Sequence, residues 1–300
     1  PRAVPVPVIP PEKTMPGQLA YPPHAPHRGA VLPVAADVGC LQLSIVNVAL
    51  VGPPDAGDRG WALVDAGLST SGPAIVREAA RRFGADARPS CIVLTHGHFD
   101  HVGALRYLAD LWDVPVYAHP LELPYLTGKS DYPPPDPTVG GGMMARLSPL
   151  YSRQGANVAD RVRPLPADHT VPGLPGFRWV HTPGHTPGHV SVFRDADRVL
   201  IVGDAFVTTR QESALAVLTQ APEVWRPPAY FTTDWDAAWK SVRTLRDLRP
   251  QAVIAGHGVP VAGQQLANGL DALAERFGTL IPAGGRYAME PARADETGVT

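Results

Sequence analysis

Cysteine is nearly absent from this chain: Cys40 and Cys91 are the only two in 300 residues, far apart and outside any CxxC spacing. Neither a disulfide framework nor a cysteine-based zinc knuckle can be built from them, and a reducing, cytoplasmic setting is expected. Charge of one sign is also lacking. The 26 basic and 28 acidic residues leave a formal net charge of -2 with no block of like charge, so a nucleic-acid footprint is not indicated. No apolar run approaches the ~18 residues of a membrane-spanning helix. The first 33 residues have no basic start, continuous apolar stretch or small-residue cleavage site, so a secretory signal is not expected.

What is present is a chain with 44% hydrophobic and 18% charged residues, the balance of a globular protein with room for one large or two small domains. Proline is abundant at 35 residues, and it crowds the start, in PRAVPVPVIPPEKT and AYPPHAPHRG. Proline cannot donate to a hydrogen-bond ladder, so residues 1–38 read as an extended arm. The periodic part spans 39–282, and residues 283–300 read as a loosely held tail.

Within 39–282 the pattern is strand and helix in alternation. The runs 41–51 and 61–65 read as two antiparallel strands around a turn-rich loop. Ile75, Val76, Ala79, Ala80 and Phe83 form one helical stripe, with Pro73 near its start and Gly84 just past its end. A strand at 91–95 follows, then a helix over 102–112 with Val102, Leu105, Leu108, Ala109 and Trp112 inward, then a strand at 114–118. Residues 120–160 lose periodicity, apart from a short helix around 143–151, and read as an insertion placed to act as a lid. Strands return at 177–181, 189–193 and 198–202. Thr233 is the expected N-cap of a helix carrying Trp235, Ala238, Trp239, Val242, Leu245 and Leu248 inward. A strand at 252–256 and a helix over 262–277 complete the pattern. Two such halves predict an α/β fold, an αββα sandwich of two mixed β-sheets with helices on the outer faces.

The polar signals fall at strand ends. After the strand at 91–95 the chain reads THGHFDHVG, which brings His96, His98, Asp100 and His101 within six residues. Imidazole and carboxylate suit zinc, manganese or iron. On a helix His96 and His98 would diverge, so the spacing requires a strand-to-helix loop. Further strand ends carry His185 in TPGHTPGH, Asp204 in VGDAF and His257 in AGHG. Five histidines and two aspartates suffice for two ions sharing one carboxylate. His169, His181 and His189 read as local hydrogen-bond formers, and His24, His27 and His119 as surface or core. Met143, Met144, Tyr125, Tyr132, Tyr151 and Tyr230 are candidates to line a substrate pocket or fill the core, and Cys91 is a small buried hydrophobe.

In that order, from residue 40 to about 260, these motifs resemble the metallo-β-lactamase-fold metal-dependent hydrolases, in the style of glyoxalase II and the lactonases. The resemblance implies that His96, His98 and His185 hold one ion and Asp100, His101 and His257 a second, with Asp204 bridging. Asp65 would orient a ligand rather than bind metal. It implies two zinc ions, with iron or manganese as alternatives, and a metal-bridging hydroxide that cleaves an ester, lactone, thioester or related activated carbonyl. Asp100 and Asp204 would move the proton to the leaving group. The partner is then a small-molecule substrate, with no nucleic acid or membrane, and a homodimer is a candidate assembly. Asp204 stands where antibiotic-degrading lactamases usually carry another residue, and the chain after His257 is short for the substrate domain of glyoxalase II. The alternatives are a mononuclear iron sulfur dioxygenase on the same fold and a lactamase-type amide hydrolase.

Overall fold

In a computed structural model that describes residues 29–299, the aliphatic runs form two mixed sheets. The first contains β1 (Val31–Ala35), β2 (Val38–Gln42), β3 (Asn47–Val51), β4 (Ala62–Val64), β5 (Ile92–Val93), β6 (Val116–Ala118) and β7 (Val162–Pro164), side by side in that order. Pairing is antiparallel from β1 to β4 and parallel from β4 to β7. The second contains β8 (Phe177–His181), β9 (Val190–Arg194), β10 (Val199–Gly203), β11 (Ala252–Ala255) and β12 (Val261–Ala262), antiparallel except for the parallel β10–β11 pair. A small hairpin, β13 (Ala294–Asp295) with β14 (Gly298–Val299), stands apart.

Strand alternation builds the layers. Side chains two apart share a face, so Val64, Val93, Val192, Ile201 and Ile254 fill the space between the sheets. Their neighbours Leu63 and Ile92 face outward to α1 (Gly72–Phe83) and to the pair α2 (Phe99–Val102) and α3 (Leu105–Trp112). On the far side Leu200 and Val253 pack on later helices. Between these come the short helices of the insertion, α4 (Leu123–Leu126) and α5 (Gly142–Leu147), and α6 (Ala214–Thr219). The outer layer of the second sheet is α7 (Trp235–Asp247) and α8 (Gly263–Leu280), which present Trp235, Val242, Leu266, Leu270, Leu273 and Phe277 to it. The last helix is α9 (Arg286–Met289). The architecture is thus the αββα sandwich expected. Among the described residues no helix is long and apolar enough to cross a membrane.

Several local expectations need correction. The run 41–51 is two strands, because the chain turns at 43–46, where Leu43 N–H donates to the Val46 carbonyl. Asn47 then leaves its side chain for the other sheet, donating to the carbonyls of Ala255 (2.9 Å) and Gly258 (2.6 Å). The helix over 102–112 breaks near Gly103, whose amide donates to Gly67 instead of the helix ladder. The cap of α7 is Asp234, not Thr233: its carboxylate accepts from Ala237 N–H at 2.9 Å. Of the proline-rich arm, residues 1–28 lie outside the described residues, and 31–38 already form β1, the turn after it and the start of β2. The tail is not loose in its described part. Tyr287 is buried, its hydroxyl donates to the Pro134 carbonyl at 2.8 Å, and Arg286 N–H donates to Asp136 at 2.5 Å.

Phe277 is fully buried and stacks parallel to Trp239 across the α7–α8 contact. Phe277→Ala is expected to cost about 3–5 kcal/mol in denaturant unfolding. The half-exposed Leu111→Ala serves as the control and should cost far less. Equal losses would contradict this account of the outer layer.

Candidate metal centre

The site lies along the rim where the ends of both sheets meet. From β4, Asp65 turns back in the left-handed region (φ 63°), and its carboxylate accepts from the Thr95 amide and hydroxyl, both at 2.8 Å. The same carboxylate meets His101 Nδ1 at 2.9 Å. A carboxylate on Nδ1 orients the ring and directs Nε2 into the site. From β5 the chain passes through Thr95, and His96, Gly97 and His98 lead into α2, which carries Asp100 and His101 on its first turn. His185 comes from the loop between β8 and β9.

Asp204 follows β10 directly after Gly203, whose φ of 55° is the left-handed turn that aims the carboxylate inward. The Asp204 amide donates to His189 Nε2 at 2.9 Å, while His189 Nδ1 meets the Thr182 hydroxyl at 2.8 Å. His257 follows β11, and its Nδ1 lies 2.6 Å from the Ile45 carbonyl. A carbonyl can only accept, so Nδ1 keeps its proton and Nε2 is the nitrogen that faces the site. Gly256 beside it has to be glycine for another reason: a Cβ there would run into the Asp204 carboxylate and the His101 ring.

All seven sequence-predicted donors come together, and all are buried. His98 Nδ1 and His185 Nε2 are 3.0 Å apart. Asp204 sits between two groups of donors: Oδ2 is 3.5 Å from His185 Nε2 and 3.1 Å from His257 Nε2, and Oδ1 is 3.6 Å from His101 Nε2. Asp100 lies 3.5 Å from His257. The donor atoms form three groups, each within 4.8 Å: His96, His98 and His185; His96, His101 and Asp204; and Asp100, His101 and His257. Asp65 belongs to none of them.

His96 Nε2, His101 Nε2 and Asp204 Oδ1 are buried without a hydrogen-bond partner. Orphaned polar atoms of this kind are costly unless something completes them, and a cation bound by nitrogen and oxygen donors would do so. The donor set fits a metal. The electrostatics agree. Burial and the neighbouring imidazoles hold His96 and His98 well below the ordinary imidazole value, and burial lowers His185 to about 4, so all three are neutral donors. Burial also opposes charge on His101 and His257. There it is outweighed: Asp204 and Asp65 raise His101 well above the ordinary value, and Asp204 and Asp100 raise His257. The same imidazoles hold Asp204 well below the usual carboxylate range despite its burial.

The remaining histidines are local hydrogen-bond formers. His181 bonds the Pro187 carbonyl, His169 the Trp179 carbonyl, and His119 caps the turn Pro120–Glu122 while stacking on His181. His24 and His27 lie outside the described residues. Of the candidate pocket residues, Tyr132 lies against the His98 ring with centroids 4.6 Å apart; Phe231, which is not among them, lies against the same ring at 4.7 Å. Phe99, Met144 and Tyr151 extend this aromatic wall, with Tyr230 behind it. Tyr125 is stacked on Tyr132 away from the ligands. Sequence reasoning missed Glu122, Asn47 and Phe231. Each stands in an irregular or strand-end stretch where a single polar or aromatic residue has no spacing to mark it.

Residues 41–257, more than half of the chain, match the profile of the Metallo-beta-lactamase superfamily. The chain is 44% identical over 252 residues to the probable metallo-hydrolase YflN of Bacillus subtilis, covering 84% of this chain and 95% of that protein. It is 30% identical over 196 residues to the probable metallo-hydrolase YybB of the same organism, covering 65% of this chain and 74% of that one. Among solved structures it is similar to TTHA1623 in a di-iron-bound form, with 27% identity, a TM-score of 0.51, and coverage of 78% of this chain and 95% of that one. A beta-lactamase domain protein from Burkholderia ambifaria shares the fold with 21% identity, a TM-score of 0.56, and coverage of 85% and 78%.

Because carboxylates raise the pKa of His101, the metal-free site holds a proton near neutral pH that a cation must displace. Zinc binding to the metal-stripped chain is therefore expected to release protons and to weaken as pH falls from about 8 to about 6. Calorimetry in buffers of different ionisation enthalpy measures both, and proton-neutral, pH-independent binding would refute this assignment of charge.

Proposed function

The chain belongs to the metallo-beta-lactamase superfamily, and from that premise we propose that it is a dinuclear metal-dependent hydrolase of a small activated carbonyl substrate: an ester, lactone or thioester. The observation that carries this reading is the placement of Asp204 between two donor groups, with its own Oδ1 and the Nε2 atoms of His96 and His101 buried without a partner. In this reading His96, His98 and His185 would hold one ion and Asp100, His101 and His257 the other, with Asp204 lying between the two groups. Zinc suits the donors, and the di-iron form of the similar protein TTHA1623 makes iron the alternative. Ions bound there supply Lewis acidity at the scissile oxygen and lower the pKa of a water to about 7.

The chain's own residues do the rest. Asp65 holds His101 in one orientation, and the Ile45 carbonyl does the same for His257. Asp100, 3.5 Å from His257 Nε2, would receive and pass on a proton, and Asp204 would support the same transfer. The wall of Phe99, Phe231, Tyr151 and Met144 excludes water and offers an apolar surface to the substrate's non-reacting part, in keeping with a neutral substrate. The insertion 120–160 supplies two of these side chains and acts as the cover of the site.

Metal analysis of the purified chain, with a panel of lactone, ester, thioester, phosphodiester and β-lactam substrates, tests the reading. Two zinc ions per chain and hydrolysis of at least one activated carbonyl are expected, whereas a single iron with no hydrolysis would sink it. His96→Ala and Asp204→Ala are expected to lower kcat/KM by orders of magnitude with secondary structure retained, as read by kinetics beside circular dichroism. Asp65→Asn should cost about 10- to 100-fold in metal affinity or activity. Replacing Leu147 to Tyr151 by a short polar loop should move KM more than metal occupancy, and unchanged kinetics on every substrate would remove the cover.

A further inference from the structure

We propose that Glu122 is a positioning residue that sets the geometry of the His96, His98 and His185 group by clamping together the two loops that carry it. The inference rests on the two-ion reading above. Glu122 ends the turn Pro120–Glu122 after β6 and has no exposed surface. One carboxylate oxygen accepts from the Gly97 amide (3.0 Å) and from the Tyr132 hydroxyl, and the other accepts from the Thr186 hydroxyl (2.7 Å) and the Gly188 amide (2.9 Å). Gly97 lies between His96 and His98, and Thr186 follows His185. The first loop leaves the seven-stranded sheet, and the second enters the five-stranded one. A single side chain therefore ties the two sheets together beside the contact where His98 Nδ1 and His185 Nε2 stand 3.0 Å apart.

Two features mark this as more than a satisfied buried polar group. Each carboxylate oxygen takes one backbone N–H, a donor that cannot switch role. Glutamine has one acceptor oxygen, so whichever way its amide is turned, its NH2 faces the amide of Gly97 or of Gly188 and one loop is released. The glycines of both motifs also make room for the clamp. A Cβ on Gly188 would collide with the Glu122 side chain, and one on Gly97 with the Tyr132 hydroxyl. Among the described residues the hydrogen bonds of Glu122 go to Gly97, Tyr132, Thr186 and Gly188, whereas His101 is oriented by Asp65 and His257 by the Ile45 carbonyl. Its influence is directed at one donor group.

The test is a zinc titration of the metal-stripped full chain against a competing chelator, with thermal melts of each metal-free variant. His98→Ala and His257→Ala assign the two equivalents. E122Q is expected to weaken the equivalent lost in His98→Ala by about 10- to 100-fold, the range for groups that orient ligands, and to leave the His257 equivalent unchanged. Tyr132→Phe keeps both backbone donors and should weaken the same equivalent less, and it stands in if E122Q does not fold. Loss of both equivalents alike, or of neither, overturns the proposal. A wild-type chain that binds one ion overturns the two-ion reading instead. Glu122 then stands or falls on whether E122Q weakens that ion as His98→Ala does.

Discussion

The Asp204 carboxylate, almost fully buried among His101, His185 and His257, is the constraint on which the rest of the site depends. An ionised carboxylate in that position is stable only with positive charge beside it. The surroundings are organised to hold it there. Gly203 provides the turn, His189 anchors the amide, and Gly256 leaves the space that the carboxylate occupies. Because the donors come from four strand ends in two sheets, the site exists only once the sandwich has closed. Fold stability and metal binding are therefore linked, since an ion that binds the closed form stabilises it by mass action.

Most of this arrangement could be read from the sequence because the chemistry is concentrated. Four donors fall in THGHFDH, and the others follow strands whose aliphatic runs are plain. The helices α1, α7 and α8 were legible because their stripes face a sheet at 3.6-residue spacing. The errors share a physical cause, which is that backbone hydrogen bonds, not side-chain patterns, decide where an element stops. A strand-like run continues through 43–46, with Leu43, Ile45 and Val46, yet the chain turns there so that Asn47 can reach across to the other sheet. Gly103 interrupts a continuous helical stripe because its amide serves Gly67. Glu122 was invisible for a different reason: its four partners are spread from residue 97 to 188 and meet only in the closed fold.

Two kinds of tie thus hold the rim. Asp65 acts on a ligand ring directly, whereas Glu122 and Asn47 act on backbone. Acting on backbone suits loops rich in glycine, which would otherwise retain much conformational freedom. It leaves the imidazoles free to meet metal while the loops beneath them stay fixed.

The contact of the C-terminal segment with the insertion has a consequence for how the protein is made. Tyr287 and Arg286 bond to Pro134 and Asp136, and Gly298 packs against Ser130, so the stretch that leads back to Tyr132 and the site wall is held by residues 150 or more positions further along the chain. A ribosome delivers the insertion well before those residues, at about 5–20 residues per second. The wall therefore gains this support only after the strands of both sheets have been made. A nascent chain can close both sheets around its metal donors and still present an unclasped insertion to proteases and chaperones until the segment around Tyr287 has emerged.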